Sequence, residues 1–178
     1  MELDKDLQAR QEAREAARRS EEAQKILGSF PQEKLDAITE HIAKCFHDIA
    51  PELAELAAKE TGFGNAKDKT LKNQFASQGV YNAIKEMKTV GVLGKRKGEK
   101  LWEIGVPVGV IAAIVPSTNP TSTVCYKALI AIKSGNTIVF SPHPKALRCT
   151  LAAARIVAEA AKEAGAPEHT VQCLTIPS

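Results

Sequence analysis

The sequence predicts an α/β fold: a helical N-terminal layer, a β-hairpin and a partial Rossmann-like parallel sheet in βαβαβ order. Three observations carry this. Composition changes near residue 90, from Ala-, Glu-, Lys- and Gln-rich helical periodicity over residues 2–89 to β-branched apolar runs over residues 106–178. Those runs are continuous, as in strands of parallel sheets, and an amphipathic helix separates each from the next. Right-handed crossovers then make the strands parallel.

The bulk properties fit a soluble domain. With 178 residues, 44% hydrophobic and 25% charged, the chain can bury a core, and wholesale disorder is excluded. A net charge of +3 and 4% aromatic residues give no footprint for nucleic acid or an anionic membrane. No apolar run approaches the ~20 residues of a membrane span, and the charged start MELDKDLQAR has no signal-peptide core. Cys45, Cys125, Cys149 and Cys173 form no CxxC and no zinc pattern, which predicts reduced thiols in the cytoplasm and no metal.

Taken in order, residues 3–27 form a helix with a thin apolar stripe of Leu3, Leu7, Ala13, Ala17, Ala23 and Ile26, stopped by Gly28. A second helix opens at Ser29-Phe30-Pro31 and carries Leu35, Ile38, Ile42, Phe46 and Ile49 at spacings of three or four. Pro51 restarts the chain for a short helix ending near Thr61-Gly62. A further helix over 66–88 is expected to bury Leu71, Phe75, Ile84 and Met87. No chemistry is read in these 89 residues. Residues 90–105 form a hairpin with a basic, solvated tip (Lys95, Arg96, Lys97, Lys100), and Trp102 is expected to pack.

Beyond it, Val108–Val115 reads as a strand covered on both faces, Thr121–Lys133 as a helix ended by Gly135, and Asn136–Ser141 as a second strand. Lys145–Ala164 is a long helix stopped by Gly165, and Val171–Ile176 is a third strand. In such sheets ligands bind beyond the carboxyl ends of the strands. Here those ends lead into Pro116–Pro120 and Ser141–Pro144. The first loop sets Ser117, Thr118 and Asn119 between two prolines, before a helix whose first amides can meet an anion. Thr118, Asn119 and Thr121 are equally suited to capping that helix, and one residue can do both. Neither GxGxxG nor GxxxxGK[ST] is present.

The run from Val108 to Ala146, VGVIAAIVPSTNPTSTVCYKALIAIKSGNTIVFSPHPKA, resembles the aldehyde dehydrogenase superfamily, and within it the CoA-acylating branch. PSTNPTST and SPHP mark that branch, and TGFG at Thr61–Gly64, KNQFAS at Lys72–Ser77 and MKTVGVL at Met87–Leu93 agree with it. The resemblance covers essentially the whole chain. It implies the helical layer (2–89) and first Rossmann half (106–178) of a cofactor domain, with 90–105 as the first piece of an oligomerisation arm and the catalytic domain absent. The implied reaction converts aldehyde, CoA and NAD⁺ (or NADP⁺) to acyl-CoA and NADH (or NADPH).

By the same resemblance, Val115, Pro116, Ser117 and Thr118 contact the cofactor, and Asn119 donates to the oxyanion. Non-acylating members carry their Asn one place earlier, so Thr118 is the alternative donor. Ser141 stands where those members have a ribose-binding Lys, and with Pro142 and His143 it is the expected contact for ribose or phosphate. The family's nucleophilic Cys is expected to lie beyond this chain, so the chain alone is predicted inactive. The resemblance also implies a homo-oligomer through 90–105, and a place in the cytoplasm or inside a bacterial microcompartment. A truncated, non-catalytic assembly module is the alternative.

Overall fold

The structure, a computed structural model, describes residues 4–95, 98 and 100–177. Helix α1 (Lys5–Leu27) stops at Gly28 as predicted, while Leu3 lies outside the described residues. Its inward face departs from the expected stripe. Leu7, Ala13, Ala17 and Ile26 are exposed, and Ala16, Ser20, Ala23 and Leu27 are buried. A polar seam sets this phase. Ser20 Oγ donates to the His169 carbonyl at 3.1 Å, and Thr137 Oγ1 donates to the Ser20 carbonyl at 3.1 Å. Gln172 Nε2 donates to the Ala16 carbonyl at 2.7 Å and to Ser20 Oγ at 2.6 Å. Burying these groups unpaired would cost about 1–3 kcal/mol each, more than a few peripheral methyls return.

Helix α2 (Gln32–Asp48) buries Leu35, Ile38, Ile42 and Phe46 as their spacing predicts, with Cys45 half-buried beside them. Helix α3 (Ala50–Thr61) begins around Pro51 and ends at Gly62, whose φ of +69° is the left-handed stop that glycine makes easily.

The predicted helix over 66–88 is three pieces. They are α4 (Ala66–Gln74), a π turn (Phe75–Gly79) and α5 (Val80–Ile84). The phase also differs from expectation: Leu71, Phe75 and Met87 are exposed, Ile84 is half-buried, and Lys69, Asn73, Ala76 and Ser77 point inward. Hydrogen bonds explain the reversal. Asn73 Nδ2 donates to the Ala50 carbonyl at 3.1 Å, and Asn73 Oδ1 accepts from Thr121 Oγ1 at 2.9 Å.

Strands β1 (Gly91–Lys95) and β2 (Trp102–Gly105) form the antiparallel hairpin. Arg96 and Lys97 of the basic tip lie outside the described residues. Trp102 does not pack inward. It is exposed, with the Lys95 ammonium 5.2 Å from its ring centre.

The second sheet contains β3 (Val110–Val115), β4 (Thr137–Pro142) and β5 (Val171–Cys173), all parallel in the order β3-β4-β5. Between them run α6 (Pro120–Lys133) and α7 (Leu147–Glu163), the latter preceded by a 3₁₀ turn at Pro144–Ala146. Helix α1 lies against one face of the sheet and α6 with α7 against the other, with α2 across both. Phe46, Leu129, Ile132, Phe140 and Val157 fill the core between these layers.

Two strand expectations are corrected. β3 starts at Val110, and only one of its faces is covered: Ala113 and Val115 are buried, whereas Ala112 and Ile114 are exposed. Helix α1 sits mainly over β4 and leaves that side of the edge strand open. β5 ends at Cys173 rather than Ile176, because the Glu12 carboxylate accepts from the Thr175 and Ile176 amides at 2.8 and 3.0 Å.

Candidate functional site

The site is built where β3 and β4 end together. Their register pairs Ile114 with Ser141 and Val115 with Pro142, and the His143 amide donates to the Val115 carbonyl at 3.1 Å. Both predicted loops therefore leave the sheet side by side. Val115 and Pro142 are buried, Ser117 and Ser141 are half-buried, and Pro116, Thr118 and His143 are exposed. His143 Nδ1 accepts from the Lys145 amide at 3.0 Å, so that nitrogen caps the 3₁₀ turn.

Asn119 occupies the position before α6, with Pro120 in the helix's first turn. The capping alternative fails here. No side chain caps α6, and the Thr121 hydroxyl is committed to Asn73. The Asn119 carbonyl accepts from the Thr123 amide at 3.2 Å. Its Nδ2 reaches Thr118 Oγ1 only at 3.5 Å, the limit of a hydrogen bond. Asn119 thus keeps a side-chain amide for a ligand, above a helix N-terminus that favours negative charge. The start of α7 is different. Glu60 already fills it, accepting from the Arg148 amide at 2.8 Å and the Cys149 amide at 2.6 Å.

Residues unnoticed in the sequence complete the site. Lys69 is buried and its Nζ donates to the Thr118 carbonyl at 2.8 Å; burial pushes its ammonium below the usual lysine range. Gly62 turns the chain so that Phe63 and Gly64 face the Asn119 loop across a cleft of about 330 Å³ also lined by Asp68 and Lys72. On the other side of Asn119 lies a second cleft of about 360 Å³, more apolar, lined by Phe75, Val80, Pro116 and Tyr126. Asn119 and Lys72 border both clefts. The available signal was Lys69, Asn73 and Ser77, a polar series at intervals of four in a helix read for its apolar phase.

None of the cysteines is poised as a nucleophile. Cys125 sits in the first turns of α6, yet complete burial pushes its thiol well up, outweighing the helix N-terminus. Cys149 and Cys173 are each pushed up to about 12, by burial first and then by Glu60 and Glu12 respectively. Burial raises Cys45 as well, with the Glu163 charge adding to it. What the site offers is an amide donor, the uncapped start of α6 and two adjoining clefts. These are the elements that hold an anionic ligand and stabilise developing negative charge.

The sequence profile of the aldehyde dehydrogenase family matches residues 5–177. The chain is 43% identical over 157 residues to an aldehyde-alcohol dehydrogenase of Clostridium acetobutylicum, covering 88% of this chain and 18% of that protein. The crystal structure of an acetylating aldehyde dehydrogenase from Geobacillus thermoglucosidasius superposes with a TM-score of 0.97 at 52% identity, over 99% of this chain and 39% of that one. A propionaldehyde dehydrogenase from the fucose utilisation bacterial microcompartment of Clostridium phytofermentans matches at TM-score 0.80 and 31% identity, over 93% of this chain and 37% of that one. The chain therefore spans less than half the length of each of these three relatives. Among the described residues no helix is long and apolar enough to cross a membrane. With the profile match running nearly end to end and the β3–β4 loops in the same fold, the chain belongs to the aldehyde dehydrogenase family.

Proposed function

We propose that this chain forms the cofactor side of a CoA-acylating aldehyde dehydrogenase, for the reaction aldehyde + CoA + NAD(P)⁺ → acyl-CoA + NAD(P)H + H⁺. The observation that carries the proposal is the Asn119 amide, uncommitted to capping and bordering both clefts. Its role is to donate to the oxyanion formed when a thiolate adds to the aldehyde, with Thr118 the alternative donor. Such a donor is useful because it is oriented before charge develops.

The residues fit a dinucleotide. Helix α6 presents amides without a side-chain cap, and half-buried Ser117 and Ser141 flank the groove between the two strand ends. Pro116, Ser117 and Thr118 would hold one part of NAD(P)⁺, and Ser141 and His143 the ribose or phosphate end, over a floor formed by Val115 and Pro142. When bound, the nicotinamide supplies the hydride acceptor. The thiolate and the CoA contacts are assigned to none of these residues, so the 178-residue chain by itself turns over no aldehyde. The hairpin 90–105 joins subunits of a homo-oligomer, in the cytoplasm or within a microcompartment. Likeness to acylating enzymes along nearly the whole chain supports this over a non-catalytic assembly module.

The test is Asn119→Ala in the acylating enzyme that contains this sequence, followed by NADH formation from acetaldehyde and CoA. We expect kcat to fall roughly 10²–10³-fold, the usual loss for one oxyanion donor. An unchanged kcat would transfer the role to Thr118 or to the α6 amides.

A further inference from the structure

Away from this site, α2 and the last turn of α7 bring together a histidine, a cysteine and a carboxylate. His41 and Cys45 are four residues apart and so lie one turn apart on the same face of α2. His41 Nε2 is 3.0 Å from Glu163 Oε2 and 3.5 Å from Cys45 Sγ, and the three ligand atoms all lie within 4.8 Å of one another. A tetrahedral zinc ion, with bonds of ~2.3 Å to sulfur and ~2.0 Å to nitrogen or oxygen, has sulfur–nitrogen and nitrogen–oxygen edges of roughly 3.5 and 3.3 Å. The sulfur–nitrogen and nitrogen–oxygen spacings match those edges to within a few tenths of an ångström, and the sulfur–oxygen pair, within 4.8 Å, closes to the required edge of roughly 3.5 Å by a turn of the exposed Glu163 side chain. His41 therefore already stands at the shared corner of two edges of a tetrahedron, with Cys45 and Glu163 one on either side.

The surroundings favour a cation. Glu163 is the final residue of α7, at the negative end of that helix's dipole. The Asp48 carboxylate also acts on Cys45, and the Lys44 ammonium opposes it. His41 and Cys45 are half-buried and Glu163 is exposed, so an ion has access and a water can complete its shell. Thiolate, imidazole and carboxylate together select Zn²⁺ over Mg²⁺ or Ca²⁺, which take oxygen ligands.

We propose that His41, Cys45 and Glu163 bind Zn²⁺, with water as fourth ligand, and that the ion clamps α2 to the C-terminal end of α7. Binding displaces the Cys45 thiol proton to solvent, leaving thiolate on the metal. The Glu60 cap lies at the opposite end of α7, some 16 residues away or roughly 24 Å at 1.5 Å per residue. The ion is thus a structural clamp without direct contact with the cofactor loops. This inference is independent of the proposed reaction.

The test is titration of the 178-residue chain with Zn²⁺ alone by calorimetry, thermal unfolding with and without Zn²⁺, and Co²⁺ absorption. The expected result is one ion per chain at micromolar affinity or tighter, a rise in Tm, and thiolate-to-Co²⁺ charge transfer in the near ultraviolet. Cys45→Ser and His41→Ala should each weaken binding by at least about tenfold, in line with the effect of disturbing a metal's ligand shell. Both should remove the rise in Tm, Cys45→Ser should also remove the charge-transfer band, and Cys173→Ser should leave binding intact. Glu163→Gln, at an exposed position, provides a variant whose folding is not in question and should also weaken binding. No saturable binding, binding unaffected by all three ligand substitutions, or a Co²⁺ complex without a thiolate band would overturn the proposal.

Discussion

The Lys69 ammonium holds the Thr118 carbonyl at 2.8 Å, joining α4 to the loop in which Asn119 sits. It works with the Asn73–Thr121 bond at 2.9 Å, three residues further along the loop and one helical turn further along α4. The loop is thereby fixed from below by two buried side chains, while Asn119 above it retains its amide. Support from a rigid element is what keeps an oxyanion donor aligned.

Lys69→Met should therefore loosen the loop more than the fold. A hydrogen bond from a charged donor contributes about 1.5–3 kcal/mol, so local opening should become roughly tenfold or more easier. Amide exchange across 116–119 and 61–65 should accelerate, with α2 and β4 little changed. Lys69→Gln, which keeps a donor, should restore part of the protection. Unaltered exchange at 116–119 would show that the prolines alone hold the loop.

How much of this was legible in the sequence depends on what each helix packs with. Helix α2 was read correctly because Leu35, Ile38, Ile42 and Phe46 bury hydrocarbon against hydrocarbon. The parallel β3-β4-β5 sheet and its two crossovers were legible from the apolar runs. Helices α1 and α4 were misphased because Ser20, Lys69 and Asn73 carry their buried faces, and periodicity arguments count such residues as solvent-facing. For the same reason the place of the 116–119 loop between β3 and α6 is legible, but the lysine that anchors it is not. The hydrogen bonds involved join positions 48 to 156 residues apart, which no local pattern encodes.

Glu60→Ala should destabilise the chain through α7. The carboxylate accepts from the first two amides of α7 apart from Leu147, at 2.8 and 2.6 Å, and stands at the positive end of the helix. Loss of a cap of this kind costs roughly 1–2 kcal/mol. Urea denaturation should show a lower midpoint with an unchanged slope, and Glu60→Gln should fall between. A midpoint unmoved by Glu60→Ala would mean that water replaces the carboxylate without loss.

Alkali should unfold the protein partly through its thiols. Cys149 and Cys173 are pushed from about 9 up to about 12, chiefly by burial. Below pH 9 these thiols are protonated in both folded and unfolded chains, and their contribution to stability is fully present. Above it the unfolded chain releases protons that the folded chain retains, so stability falls between pH 9 and about 12. A Cys149→Ala/Cys173→Ala variant should lose stability less steeply over that window than the parent. Equal slopes would place the alkaline sensitivity in other groups. In native protein a maleimide should reach half-buried Cys45 well before Cys125 or Cys149, which are buried.

Asp36→Ala should destabilise the fold strongly although it removes no apolar core. Lys133 Nζ is buried and donates to Asp36 Oδ1 at 2.6 Å and to the Lys85 carbonyl at 2.7 Å. Asp36 Oδ1 also accepts from Gln32 Nε2 at 2.8 Å, and Gln32 Oε1 in turn receives the Thr89 and Val90 amides that lead into β1. Removing the carboxylate leaves a buried ammonium with one neutral acceptor. Breaking a buried pair from one side costs about 3–5 kcal/mol, and the partial exposure of Asp36 puts this case near 3. Asp36→Asn, which keeps an oxygen acceptor but not the charge, should fall between. Lys133→Met combined with Asp36→Leu should recover most of the loss, because the penalty comes from the stranded charge rather than from absence of the pair. Urea midpoints for the four proteins should therefore rank parent and double variant highest, Asp36→Asn next and Asp36→Ala lowest. A double variant as unstable as Asp36→Ala would mean that the pair holds α2, α6 and the approach to β1 in place and does more than neutralise a buried lysine.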